Sequence, residues 1–121
     1  MAPPEIKPNL LQADISMRPA NWLLHLESLN GAYSENTLRA YRSDFQAFES
    51  WCSNYDHIAL PAVSKTIAAF IEFQRNEFSP STIRRRLSGI SKLHLLVGHK
   101  DPTVSVDVKL ALRRMYRKKG R

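Results

Sequence analysis

The chain has 121 residues, 43% of them hydrophobic, with 18 Lys and Arg against 11 Asp and Glu, a formal charge of +7 and one cysteine. One ordinary globular domain is implied, able to bury about two thirds of its unfolded surface without a metal or a staple. A lone Cys52 with scattered histidines disfavours a disulfide scaffold and a zinc finger, no run approaches the roughly 20 apolar residues of a membrane span, and the start Met1-Ala2-Pro3-Pro4 lacks the pattern of a signal peptide. The expectation is a reduced, cytoplasmic chain that needs no metal or cofactor and binds no membrane.

Residues 1–13, with Pro3, Pro4 and Pro8, read as a flexible arm, and order is expected to begin near Asp14. Pro19 suits a first helical turn, Trp22, Leu23, Leu26 and Leu29 recur at helical spacing, and Asn30-Gly31 supplies a stop. Ser34 then stands as the N-cap of a second helix running to about Asn54, with Leu38, Tyr41, Phe45, Phe48 and Cys52 forming one apolar stripe. After a connector containing Pro61, Ser64 is a cap candidate for a third helix marked by Ile67, Phe70, Ile71 and Phe78, whose Lys65, Glu72 and Arg75 form a solvated face.

Ser79-Pro80-Ser81-Thr82 opens a fourth helix, since proline is tolerated in a first turn and the hydroxyls can cap. Ile83, Leu87, Ile90, His94 and Val97 line its inner face, and Gly98 stops it. Ser81, Arg85, Ser88 and Lys92 cluster on the opposite side, flanked by Thr82, Arg84 and Gly89. Beyond Pro102, Ser105 can cap a fifth helix with Asp107 in its first turn, Val108, Leu112 and Met115 inward, and Arg113, Arg114 and Arg117 outside. No strand alternation or internal repeat occurs, so the class is all-α, a compact bundle of about five helices.

The charge is unevenly placed. Residues 1–80 carry six basic and nine acidic side chains, a net of −3, whereas residues 81–121 carry twelve and two, a net of +10. Such asymmetry points to a polyanion partner, nucleic acid before membrane. An enzyme reading finds little: His94 lies on an apolar stripe as a buried, hydrogen-bonded imidazole would, Cys52 reads as a small core hydrophobe, and no glycine-rich phosphate loop or paired carboxylates occur. No residue is assigned a catalytic role. By contrast, a helix that buries one face and offers hydroxyls and guanidinium groups on the other suits a major groove.

The run Ser34-Glu35-Asn36-Thr37-Leu38-Arg39-Ala40-Tyr41-Arg42-Ser43-Asp44-Phe45, continued by Phe48 and Trp51-Cys52, resembles the first long helix of the core-binding domain of tyrosine recombinases, the phage integrase family. Ser79 to Ile90, followed by His94, Gly98 and Pro102-Thr103, resembles that domain's second DNA-facing helix, and Leu112 to Arg117 its last helix. The resemblance spans about residues 15–121. It implies a SAM-like helical domain, half of a C-shaped clamp, whose two long helices cross and enter the major groove of a double-stranded recombination site.

Carried over by residue, the groove-facing positions are Thr37, Arg39, Ala40 and Ser43 on the second helix and Ser81, Thr82, Arg85 and Gly89 on the fourth. Arg86 would reach a flanking phosphate, and Arg113, Arg114 and Arg117 the backbone near the linker. Residues 14–117 would then form the core-binding domain and 118–121 the start of a linker to a catalytic domain, with its His-x-x-Arg motif and tyrosine nucleophile, that this chain lacks. The resemblance implies DNA integration or recombination by the parent enzyme, a nucleoid-associated location, other recombinase subunits on DNA as partners, and a monomer when alone. The alternative reading is a helical protein-interaction module, with helix one, through Trp22, Leu23 and Leu24, and the tail as docking elements.

Overall fold

The computed structural model describes residues 22–119. The arm at 1–13, the ordered start at Asp14, Pro19 in its helical turn, and Gly120-Arg121 lie outside them. Every regular element among the described residues is helical: α1, seen at residues 22–27, α2 (Glu35–Asn54), α3 (Ser64–Gln74), α4 (Pro80–Leu96) and α5 (Val106–Lys119). The all-α class holds, with α2 and α4 the long helices at 20 and 17 residues. The chain divides into two compact units, Met1–Leu38 and Arg39–Arg121.

In the first unit Trp22 and Leu26 are buried, whereas Leu24 is 63% exposed. Trp22, expected as a partly exposed docking residue, is therefore a core residue; Leu24 is the apolar side chain that α1 leaves to solvent. Helix α1 ends at residue 27, before the expected Asn30-Gly31 stop, and Gly31 at φ +89° serves the turn that follows, in which the Ala32 N–H donates to Leu29 O at 3.0 Å.

In the second unit the core is aromatic where α2 passes α3. Phe48 lies 5.1 Å from Phe70 and 6.4 Å from Trp51 between ring centroids, and Trp51 stacks on His57 at 4.8 Å. Cys52 belongs to this core; burial, with Glu49 assisting, pushes its thiol up to about 12, so it stays a neutral packing group. α3 packs against α5 through faces that bury Ile67, Phe70 and Ile71 on one and Val108, Ala111 and Met115 on the other. Leu112, expected inward, is half-buried, and Ala111 holds the inner position.

Two capping expectations fail, the first for a tertiary reason. Ser64 is the first residue of α3 rather than its cap, and its hydroxyl donates to Asp107 Oδ2 at 3.3 Å, tying the starts of α3 and α5. The buried Ser105 hydroxyl has no hydrogen-bond partner among the described residues. Helix α3 also ends at Gln74, so Phe78 lies beyond it in the turn leading to α4.

The end of α4 is more strongly built. Gly98, at φ +92°, carries the chain out of the helix while its N–H donates to Leu95 O at 3.1 Å and the N–H of His99 to His94 O at 2.8 Å, the paired bonds of a Schellman motif. Asp101 then closes the corner, accepting from Ser91 Oγ at 2.7 Å and from the Thr103 N–H and Oγ1 at 2.9 and 2.7 Å. Burial alone would raise the Asp101 pKa; these bonds outweigh it and hold the carboxyl below its ordinary range.

His94, fully buried, fastens the α2–α3 connector to α4. Its Nδ1–H donates to Ile90 O at 2.8 Å, and its Nε2 accepts the Ala62 N–H at 2.8 Å, which only the neutral imidazole can do. Burial pushes its pKa below the ordinary 6.5, with the Ile90 carbonyl opposing. The unfolded chain therefore binds the proton more readily than the folded one. Its contribution is complete above about pH 6.5 and is lost as pH falls from there through the folded value, at up to about 1.4 kcal/mol per pH unit. Urea unfolding at pH 7.5, 6.5 and 5.5 should show this loss, and His94→Phe should flatten it; a wild-type stability independent of pH across that range would contradict a neutral buried imidazole.

Candidate nucleic-acid interface

Both long helices begin on the same Ser-x-x-Thr arrangement. Ser34 Oγ accepts the Thr37 N–H at 3.1 Å and donates to Thr37 Oγ1 at 2.9 Å; Ser79 Oγ accepts the Thr82 N–H at 3.2 Å and donates to Thr82 Oγ1 at 3.1 Å. Pro80 occupies the first turn of α4, where its missing N–H is no loss. Each threonine hydroxyl accepts from its cap and keeps its own hydrogen for a further acceptor.

The outer face of α4 carries Ser81, Arg84, Arg85 and Ser88, all exposed, while Ile83, Leu87, Ile90 and His94 are buried beneath. Arg39 and Ser43 on α2 are exposed, and Ala40 is half-buried. Gly89, expected to face the groove, is instead buried where α4 meets α2. A Cβ added there would stand 3.1 Å from Asp44 Cβ and 3.8 Å from Tyr41 O, so the missing side chain serves helix–helix approach. A sequence with no Cβ at this position announces a close neighbour without naming it.

That approach brings Asp44, a residue the sequence reading passed over, to Arg85. The Arg85 Nε donates to Asp44 Oδ2 at 3.0 Å and its Nη2 to Oδ1 at 2.9 Å. Asp44 is 2% exposed and the Arg85 side chain 57%, so the carboxylate lies inside and the guanidinium emerges over it. The hydrogen bond to Asp44, reinforced by its charge, raises the Arg85 pKa. A signal existed in the sequence: Asp44 stands beside the apolar stripe of α2, and a buried carboxylate requires a cation.

Two further expected contact residues have intramolecular partners on the last turns of α3. Arg86 donates from Nη1 to Gln74 Oε1 at 2.8 Å and lies 4.3 Å from the Phe78 ring centroid, half-buried. Arg114 donates from Nε to Glu72 Oε2 at 3.0 Å, and Glu72 also accepts Arg75 at 2.9 Å. Arg113 and Arg117 are exposed on α5. Between α4 and its neighbours runs an open groove of about 430 Å³ whose lining includes Tyr41, Arg84, Ser88, Lys92 and Leu112. Hydroxyls and cations above an apolar floor suit a phosphodiester backbone.

Among the described residues no three His, Cys, Asp or Glu side chains gather as a metal site, and no helix is long and apolar enough to cross a membrane. Compared with known proteins, residues 20–97 match the family of the phage integrase N-terminal SAM-like domain. The chain is also 30% identical over 95 residues to an integrase/recombinase xerD homolog of Selenomonas ruminantium; the match covers 76% of this chain and 28% of that relative's length.

The Gly89 contact sets a stability test. Alanine would add about 1 kcal/mol of helix preference, but crowding against Asp44 Cβ, an atom fixed to the α2 backbone, should cost about 1–3 kcal/mol. Gly89→Ala is therefore expected to lower unfolding free energy by about 1 kcal/mol in denaturant titration, and a more stable variant would show that α2 and α4 have room to spare.

Proposed function

Because this chain belongs to the family of the phage integrase N-terminal SAM-like domain, we propose that it is the core-binding part of a tyrosine site-specific recombinase, holding the duplex of a recombination site without itself cutting a strand. The observation that carries this reading is the division of α4: Ile83, Leu87, Ile90 and His94 buried, and Ser81, Arg84, Arg85 and Ser88 exposed. On this reading α4 enters the major groove, with Ser81, Thr82 and Arg85 toward base edges. From α2 come Thr37, Arg39, Ala40 and Ser43. Arg113, Arg117 and the lysines of the last α5 turn hold the phosphate backbone.

Arg86 and Arg114 make a weaker case as phosphate contacts, because each would have to leave a partner on α3. Gly89 contributes through the helix approach it permits. The partners on this reading are double-stranded DNA and further recombinase subunits assembled on it, with the free chain monomeric and the parent protein integrating or recombining DNA. The interaction-module reading draws on the 63% exposed Leu24 of α1, and on it self-association would precede any DNA.

Binding to duplex DNA should weaken steeply with salt, the log–log slope falling by about 0.9 per phosphate neutralised. Lys118→Ala should weaken random and preferred duplexes alike and reduce that slope by about one. Gel-shift titrations at several salt concentrations, beside sedimentation of the free chain, test both readings: stable self-association with no duplex binding would favour the interaction module.

A further inference from the structure

Asp44 is an acid on a helix that the proposed function turns toward a polyanion, and that function gives it no task. Its geometry does. Arg85 offers five N–H donors, and Asp44 takes the side edge, Nε to Oδ2 at 3.0 Å and Nη2 to Oδ1 at 2.9 Å. The opposite end, one N–H of Nη2 and both of Nη1, is not engaged among the described residues, on a side chain that is 57% exposed. Two parallel N–H groups at that end form the fork that fits guanine O6 and N7.

We propose that Asp44 is a specificity-determining positioning residue, gripping one edge of Arg85 so that the other edge stands out as a fixed fork for a guanine in the major groove. The proposal rests on the DNA-binding reading above. Three observations favour a base over a phosphate as the target. The Asp44–Arg85 pair is neutral, so it gains little from releasing the counterions that drive phosphate binding. An arginine held by a carboxylate has already lost the rotamer freedom that a free one surrenders on binding. Asp44 is 2% exposed, so its charge is covered by Arg85 and by the approach at Gly89 rather than presented to the DNA backbone.

The experiment begins with selection of bound sequences from a randomised duplex pool by the full chain. Titrations then compare the chosen duplex, versions with each guanine replaced, and random duplex, for the wild type, Asp44→Asn, Arg85→Lys and Arg85→Ala. The wild type should prefer guanine at one base pair by about ten-fold or more. Arg85→Lys, which keeps the charge and loses the fork, should reduce that preference below about three-fold, as should Arg85→Ala. Asp44→Asn should lose the same preference at the same base pair and tighten binding to random duplex, because one negative charge is gone.

Retention of the guanine preference by Asp44→Asn, or by Arg85→Lys should the Asn variant fail to fold, overturns the proposal. So does an equal loss on chosen and random duplexes by Asp44→Asn, the mark of a merely structural role. A wild type that binds duplexes without selecting a guanine overturns this inference and leaves the DNA-binding reading standing, whereas a wild type that binds no duplex overturns both.

Discussion

How closely α2 can pass α4 at Gly89 governs the chemistry of the outer α4 face. With no Cβ at that position, Asp44 comes near enough to reach Arg85 across the crossing. Burying a carboxylate is costly unless a cation answers it, and removing one partner of a buried pair typically costs about 3–5 kcal/mol. Here the penalty is smaller than for a fully enclosed pair, because water reaches an Arg85 side chain that is 57% exposed. The pair thus couples stability to surface: one partner belongs to the interior of the helix crossing, the other to solvent.

The same second unit gives two of its inward polar groups definite partners. His94 accepts a backbone N–H from the α2–α3 connector, and Asp101 gathers a serine and a threonine at the α4–α5 corner. Each answers a specific backbone or hydroxyl group, which is why the His94 ring can lie fully buried and the Asp101 carboxyl half-buried. Of the two buried orphan atoms near Arg86, its own Nε and the Gln74 Nε2, both lie at the α3–α4 turn. That turn is held by the guanidinium over the Phe78 ring and by the single bond to Gln74 Oε1.

Much of the fold was legible because the signals that set helix ends are local. Ser34 and Ser79 cap as their spacing to Thr37 and Thr82 suggests, Pro80 sits in the first turn, and Gly98 stops α4 with positive φ. Ser64 and Ser105 look equally suitable in sequence. The Ser64 hydroxyl is taken instead by Asp107, 43 residues away, and the Ser105 hydroxyl makes no cap bond. The site was less legible for the same reason. Periodicity placed Arg85 and Ser88 outside and Ile90 and His94 inside, but a helical wheel has no place for the helix that packs against it. Asp44 to Arg85 spans 41 residues and Glu72 to Arg114 spans 42. The +10 of residues 81–121 is accordingly larger on paper than on the surface, since Arg85 and Arg114 are each paired with a carboxylate of α2 or α3.

The corner after α4 has a metric consequence. Gly98, Asp101 and Thr103 fix where α5 begins, and α5 then runs 14 residues, a rod of about 21 Å at 1.5 Å per residue. Its length acts as a ruler and its pitch as a dial. One residue inserted midway would advance the final turn by about 1.5 Å and rotate it by about 100°, swinging Arg117, Lys118 and Lys119 to another side while Val108 stayed in the core. The reach and bearing of the basic turn are thus set together by the count of residues between the corner and that turn.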